Sequence, residues 1–156
     1  MTQLKLTNNT DLQMAHRGLL PPESVRTEEI EGLVDTGATG LVLPADVVAR
    51  LGLREEGTKK VRYADGRFAV IPWVSGVRIE ILGREMTCDA LVQAEGTTPL
   101  IGQIPLEGLD LVVDPKSREV QPNPASPDAP VLDILAVGQR ASSSGVPRDS
   151  AASLLA

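Results

Sequence analysis

The chain has 156 residues, 42% hydrophobic but only 2% aromatic, with 15 Lys and Arg against 21 Asp and Glu. That length suits one domain with one core and needs no disulfide or structural metal; the single cysteine, Cys88, and the single histidine, His16, can form neither an internal disulfide nor a closed zinc site without carboxylates. A formal charge of −6 with no basic block longer than Lys59-Lys60 argues against a nucleic-acid partner, and no apolar run is long enough to cross a membrane.

In chain order, TQLKLT (residues 2–7) alternates as a strand, and the turn residues Asn8-Asn9-Thr10-Asp11 allow residues 12–17 to pair back against it. The first twenty residues hold no apolar core of the signal-peptide kind, and with one cysteine the expected setting is soluble, reducing and cytoplasmic. Leu19-Leu20-Pro21-Pro22 marks a connection, and SVRTEEI leads into EGLVDTGA, an apolar pair entering an Asp and a glycine turn. A short helix is predicted from Pro44, with Val47, Val48 and Leu51 on one face and Gly52 as its stop. Strands follow at KKVRY, RFAVIPWV, VRIEIL and MTCDALV, with hairpin signals at Asp65-Gly66 and Leu82-Gly83. The ordered part closes with a short apolar strand into Gly102, one helical turn over 104–108, a strand at 109–113, a turn at Asp114-Pro115-Lys116-Ser117 and a strand at 118–121. The class is all-β with one or two short helices.

Residues 122–130, PNPASPDAP, hold four prolines and break both helix and sheet. The expected organisation is a domain at 1–121, then a proline-rich exit and flexible tail at 122–156. Within that tail VLDILAVG either docks on the domain or stays loose, since its apolar side chains are costly to leave in water.

The chemistry concentrates at Leu33-Val34-Asp35-Thr36-Gly37-Ala38-Thr39. An aspartate that ends an apolar strand and precedes Thr-Gly sits where Gly37 lets the backbone turn close to the carboxylate, and nearby N–H groups can hold it ionised. Taken alone, Asp-Thr-Gly is also an ordinary turn. Two further elements share the chain: the hairpin Ala64-Asp65-Gly66 and, downstream, Leu100-Ile101-Gly102.

In this order and spacing, LVDTGATGLVLP, YADGRF and PLIGQIPLEGLDLVVD resemble the retroviral-type (retropepsin-like) aspartic proteases, particularly their bacterial single-domain relatives in clan AA, over residues 24–121. The resemblance implies a closed β-barrel-like lobe with a flap hairpin. It also implies roles: Asp35 as catalytic aspartate, Thr36 as the hydroxyl that braces it, Gly37 as the turn residue approaching substrate, and Ala38 in the supporting loop. Ala64, Asp65 and Gly66 would form the flap tip, and Leu100, Ile101 and Gly102 the strand crossing beneath the Asp35 loop. The family works as a homodimer on a peptide or unfolded protein segment, and a single Asp35-Thr36-Gly37 fits one aspartate per subunit. The dimer is expected through the terminal strands, residues 2–7 and 109–121. The chain departs from retroviral members in placing Thr39-Gly40 and Gln103 where they carry a charged network.

Two Asp35 carboxylates facing across a two-fold axis would repel when both are ionised, so the pair can share a proton, activate water and polarise a peptide carbonyl. No metal and no cofactor is expected. Cys88 reads as a small buried hydrophobe and His16 as structural or solvated; Trp73 reads as a core or dimer contact. The alternatives are a catalytically silent dimerisation or peptide-binding module on this scaffold, and a small barrel in which Asp35 merely turns the chain.

Overall fold

The structure, a computed structural model, describes residues 1–134. Alternation in TQLKLTN makes β1 (Thr2–Asn8), which buries Leu4 and Leu6. Asn8 then caps α1 (Asn9–His16), its Oδ1 accepting the Asp11 N–H at 3.0 Å. The expectation of a returning strand at 12–17 is thereby corrected. Asn, Thr and Asp favour turns because their side chains bond nearby backbone, and the same property lets them start a helix. His16 accordingly stands exposed in the last helical turn.

After a 3₁₀ turn at Pro22–Ser24 come β2 (Thr27–Val34), β3 (Leu41–Pro44), α2 (Ala45–Leu51), β4 (Glu55–Arg62), β5 (Phe68–Ile81) and β6 (Arg84–Gln93). β7 (Leu100–Ile101), α3 (Gln103–Gly108), β8 (Leu111–Val113) and β9 (Val120–Pro122) complete the described fold. The strands run β1-β2-β7-β3-β6-β5, and β5 pairs back onto β1, closing a six-stranded barrel. It is mixed: β2–β7 and β3–β6 are parallel and the other pairs antiparallel. Closure leaves β1 no free edge over Lys5–Thr7, which pair with both β2 and β5. This part of the expected dimer strand is therefore already occupied within the chain.

The runs RFAVIPWV and VRIEIL, which read as two strands, are one 14-residue strand. The apparent break at Ser75-Gly76 is a bulge: the β5–β6 register shifts between Val74 and Val77, and Gly76 supplies the positive φ of 72° that an L side chain resists. The bulge divides the strand by partner. Its inner half joins β1 and β6 in the barrel, while its outer half pairs with β4 alone over Phe68–Pro72 and projects as a hairpin.

Leu6, Leu41, Leu43, Leu51, Val74, Val77, Ile79, Ile81, Ile101 and Leu109 form the fully buried core. On its flank the buried Asp11 takes Arg26 through two guanidinium hydrogen bonds and accepts the Arg26 N–H as well. The side-chain bonds from Arg26 hold the Asp11 carboxyl below its usual range despite the opposing effect of burial.

The proline-rich segment is fastened to the domain as far as Val131. Asp110 accepts hydrogen bonds from the Asn123 amide, the Ser126 hydroxyl and the Val131 N–H, and the buried Arg84 guanidinium donates to the Leu109, Asp110 and Ser126 carbonyls. The side chains of Val131, Leu132 and Ile134 are nevertheless 60%, 66% and 73% exposed, so the apolar side chains at the start of VLDILAVG do not pack on the domain. The rest of that run and the tail to residue 156 lie outside the described residues.

Candidate active site

The Asp35 loop leaves the end of β2 and returns as β3, and β7 slots between those two strands, parallel to β2 and antiparallel to β3. The Asp35 N–H donates to the Ile101 carbonyl at 3.0 Å, carrying the β2–β7 ladder up to the aspartate. The Ala38 N–H donates to the Asp35 carbonyl at 3.0 Å, and the Gly37 N–H donates to Asp35 Oδ1 at 2.9 Å. The half-buried carboxylate is thus oriented by its own turn, while Oδ2 accepts no hydrogen bond among the described residues.

The far side of the loop is stitched to the start of α3. Gly102 N–H donates to the Gly40 carbonyl at 3.1 Å, Gln103 N–H to that of Ala38 at 2.9 Å, and Ile104 N–H to that of Thr39 at 2.8 Å. Gly102 is the point of closest approach. A Cβ there would lie 2.5 Å from both the Ala38 and Gly40 oxygens, so only glycine fits without moving the loop.

Gln103 adds a bond of its own, its Nε2 donating to the Thr36 carbonyl at 2.9 Å. The sequence shows this residue only as a departure from the family's charge pattern. In the fold it is the side chain that ties the Asp35 loop to α3, and its position directly after Gly102 was the available signal. The Thr36 side chain is exposed and its hydroxyl has no partner among the described residues.

Asp35, Thr36, Gly37 and Ala38 are therefore brought together with Leu100, Ile101 and Gly102 in one hydrogen-bonded unit. Ala64, Asp65 and Gly66 are not part of it; they are the exposed turn of the β4–β5 hairpin. There the Gly66 N–H donates to the Tyr63 carbonyl, and Asp65 accepts the Arg67 N–H at 3.0 Å and its Nε at 2.6 Å. No hydrogen bond joins this turn to the Asp35 loop among the described residues. Two apolar side chains flank the aspartate unit and remain open to solvent, Leu33 at 46% and Ile104 at 49%.

Cys88, opposite Val77 on β6, packs against the core, and burial, with Asp89 adding to it, pushes its thiol up to about 11. A thiol so hard to ionise is a poor nucleophile near neutral pH. Among the described residues no three His, Cys, Asp or Glu side chains gather as a metal site, and no helix is long and apolar enough to cross a membrane.

A closed mixed barrel, a projecting hairpin and an aspartate held in a strand-end turn beside an inserted strand define a retropepsin-like aspartic protease fold. A family model described as aspartyl protease matches residues 24–104, and the chain belongs to that family. A search of curated proteins gave no match.

Proposed function

We propose that the protein is a homodimeric aspartic endopeptidase that cleaves extended peptides or flexible protein segments. The observation that carries the reading is the Asp35 carboxylate, with one oxygen fixed by the Gly37 N–H and the other without a donor among the described residues, in a loop pinned on both sides. Each chain brings one Asp35-Thr36-Gly37, so the second carboxylate comes from a second copy. The β8–β9 ribbon supports assembly, since neither outer edge pairs with another strand among the described residues. A reducing, cytoplasmic setting belongs to the same proposal and rests on cysteine usage.

In the dimer one Asp35 is ionised and the other protonated. The ionised carboxylate takes a proton from a water molecule as its oxygen attacks the scissile carbonyl carbon, and the protonated carboxyl donates to the carbonyl oxygen. The tetrahedral diol then collapses: its C–N bond breaks as the amine nitrogen receives a proton from the protonated carboxyl and one diol hydroxyl gives its proton to the ionised one, so the amine and carboxylic acid leave with the dyad again singly protonated. No acyl-enzyme forms. Leu33 and Ile104 provide aliphatic contact for side chains beside the bond.

The test incubates the full chain and its Asp35→Asn variant with a diverse peptide mixture from acidic to neutral pH. Cleavage by the wild type alone is expected. Equal cleavage by both forms would overturn the aspartic mechanism, and cleavage by neither would favour a silent peptide-binding or dimerisation module.

A further inference from the structure

All three aromatic side chains of the chain, Tyr63, Phe68 and Trp73, lie on the β4–β5 hairpin, and each sits beneath a cation. Lys59 Nζ is 4.4 Å from the Trp73 ring centre, Lys60 Nζ 4.6 Å from that of Phe68, and the Arg67 guanidinium 5.7 Å from that of Tyr63. Arg67 is also paired with Asp65, but Lys59, Lys60 and Arg62 form no ion pair among the described residues.

Strand alternation distributes these three over both faces. Lys59 lies opposite Ile71, on the face of Trp73, whereas Lys60 and Arg62 lie opposite Val70 and Phe68 on the other. Whichever face meets a peptide therefore presents a free cation held close to the hairpin by its ring. The floor of the site offers no competing charge: residues 36–40 and 97–104 contain no ionisable side chain, leaving Asp35 alone.

On the endopeptidase reading, we propose that the hairpin selects acidic peptides, those with Asp or Glu on either side of an aliphatic scissile segment. The overall charge of −6 opposes this only at long range. Physiological salt screens such repulsion beyond about 8 Å, whereas a carboxylate touching the hairpin meets Lys59, Lys60 or Arg62 directly. The exposed Phe68 and Val70 add apolar contact on one face.

The test separates binding from cleavage. Fluorescein-labelled peptides with one aliphatic core and Glu, Gln or Lys flanks are titrated by anisotropy against full-length Asp35→Asn protein at low and high salt. Glu peptides should bind about fivefold more tightly than Gln peptides at low salt, the ratio expected of a few exposed charge contacts, with Lys peptides weakest and the ratio shrinking in high salt. Adding Lys59→Gln, Lys60→Gln and Arg62→Gln together should bring the Glu/Gln ratio to about one. Equal affinities for Glu and Gln peptides, or a preference that survives the triple substitution, overturn the proposal while wild-type cleavage, scored separately, leaves the endopeptidase standing. Absence of binding by any peptide overturns the proposal, and absence of wild-type cleavage removes the endopeptidase as well.

Discussion

At the scale of single residues, the Asp35 loop depends on contacts too close for substitution. Gly102→Ala places a methyl group against the Ala38 and Gly40 carbonyls, so the Asp35 loop must shift. The expected outcome is a folded protein less stable by about 1–3 kcal/mol in thermal melts. Its peptide turnover should fall by about a hundredfold, the usual consequence of misplacing a reacting group by about an ångström. Leu82 gives the opposite prediction. It holds φ at 53° ahead of Gly83 in the β5–β6 turn, with its side chain 58% exposed, and a leucine gains nothing there to offset that strain. Leu82→Asn, which tolerates the left-handed region and suits this turn, should raise stability by about 1 kcal/mol in a denaturant titration.

At the scale of elements, the hairpin and the proline-rich segment are attached in different ways. Among the described residues the outer hairpin has no sheet partner beyond its own two strands, and such ribbons are marginal alone; the Asp65 bonds to Arg67 and the three cation–ring contacts hold it together. Asp65→Ala should speed amide hydrogen exchange at Tyr63 and Gly66 while the barrel strands keep their protection. The proline-rich segment hangs on Asp110. Hydrogen bonds from Ser126 and then Asn123, helped by the Val131 N–H and by Arg84, pull that carboxyl from 3.8 down to about 2. A folded value below the unfolded one means the contribution is complete above about pH 3.9 and is lost as pH falls through about 2. Exchange at Ser126 and Val131 should therefore stay slow in mild acid and accelerate toward pH 2, and Asp110→Asn should release the segment at neutral pH.

Elements also explain what the sequence disclosed. Val34-Asp35-Thr36-Gly37 and Leu100-Ile101-Gly102 were legible because apolar strand ends, an acid and a close-packed glycine occur in a fixed order; alternating runs such as VRIEIL disclosed the all-β class, and the closed barrel came only with the family resemblance. The α1 helix was not legible, because Asn8 to Asp11 serve turns and caps alike, and of its own residues only Asp11 is buried, so no apolar stripe marks it. The unity of β5 was hidden by Ser75-Gly76, which looks like a break until the register is known. The anchoring of residues 122–131 was hidden because it depends on Arg84 and Asp110, distant in sequence and unremarkable in composition.

At the scale of the whole molecule, the fold is complete as a barrel but supplies one carboxylate where the proposed chemistry requires two. Dimerisation is thus part of the proposed active site, and dilution should lower activity faster than in proportion to protein. The most direct test unfolds mixtures of wild-type and Asp35→Asn chains together, refolds them and measures peptide cleavage against the wild-type fraction. If both carboxylates are required, only dimers of two wild-type chains are active, and activity follows the square of that fraction, falling to about one quarter when half the chains are substituted. A fall in simple proportion, to about one half, would mean that one Asp35 suffices and would contradict the shared dyad.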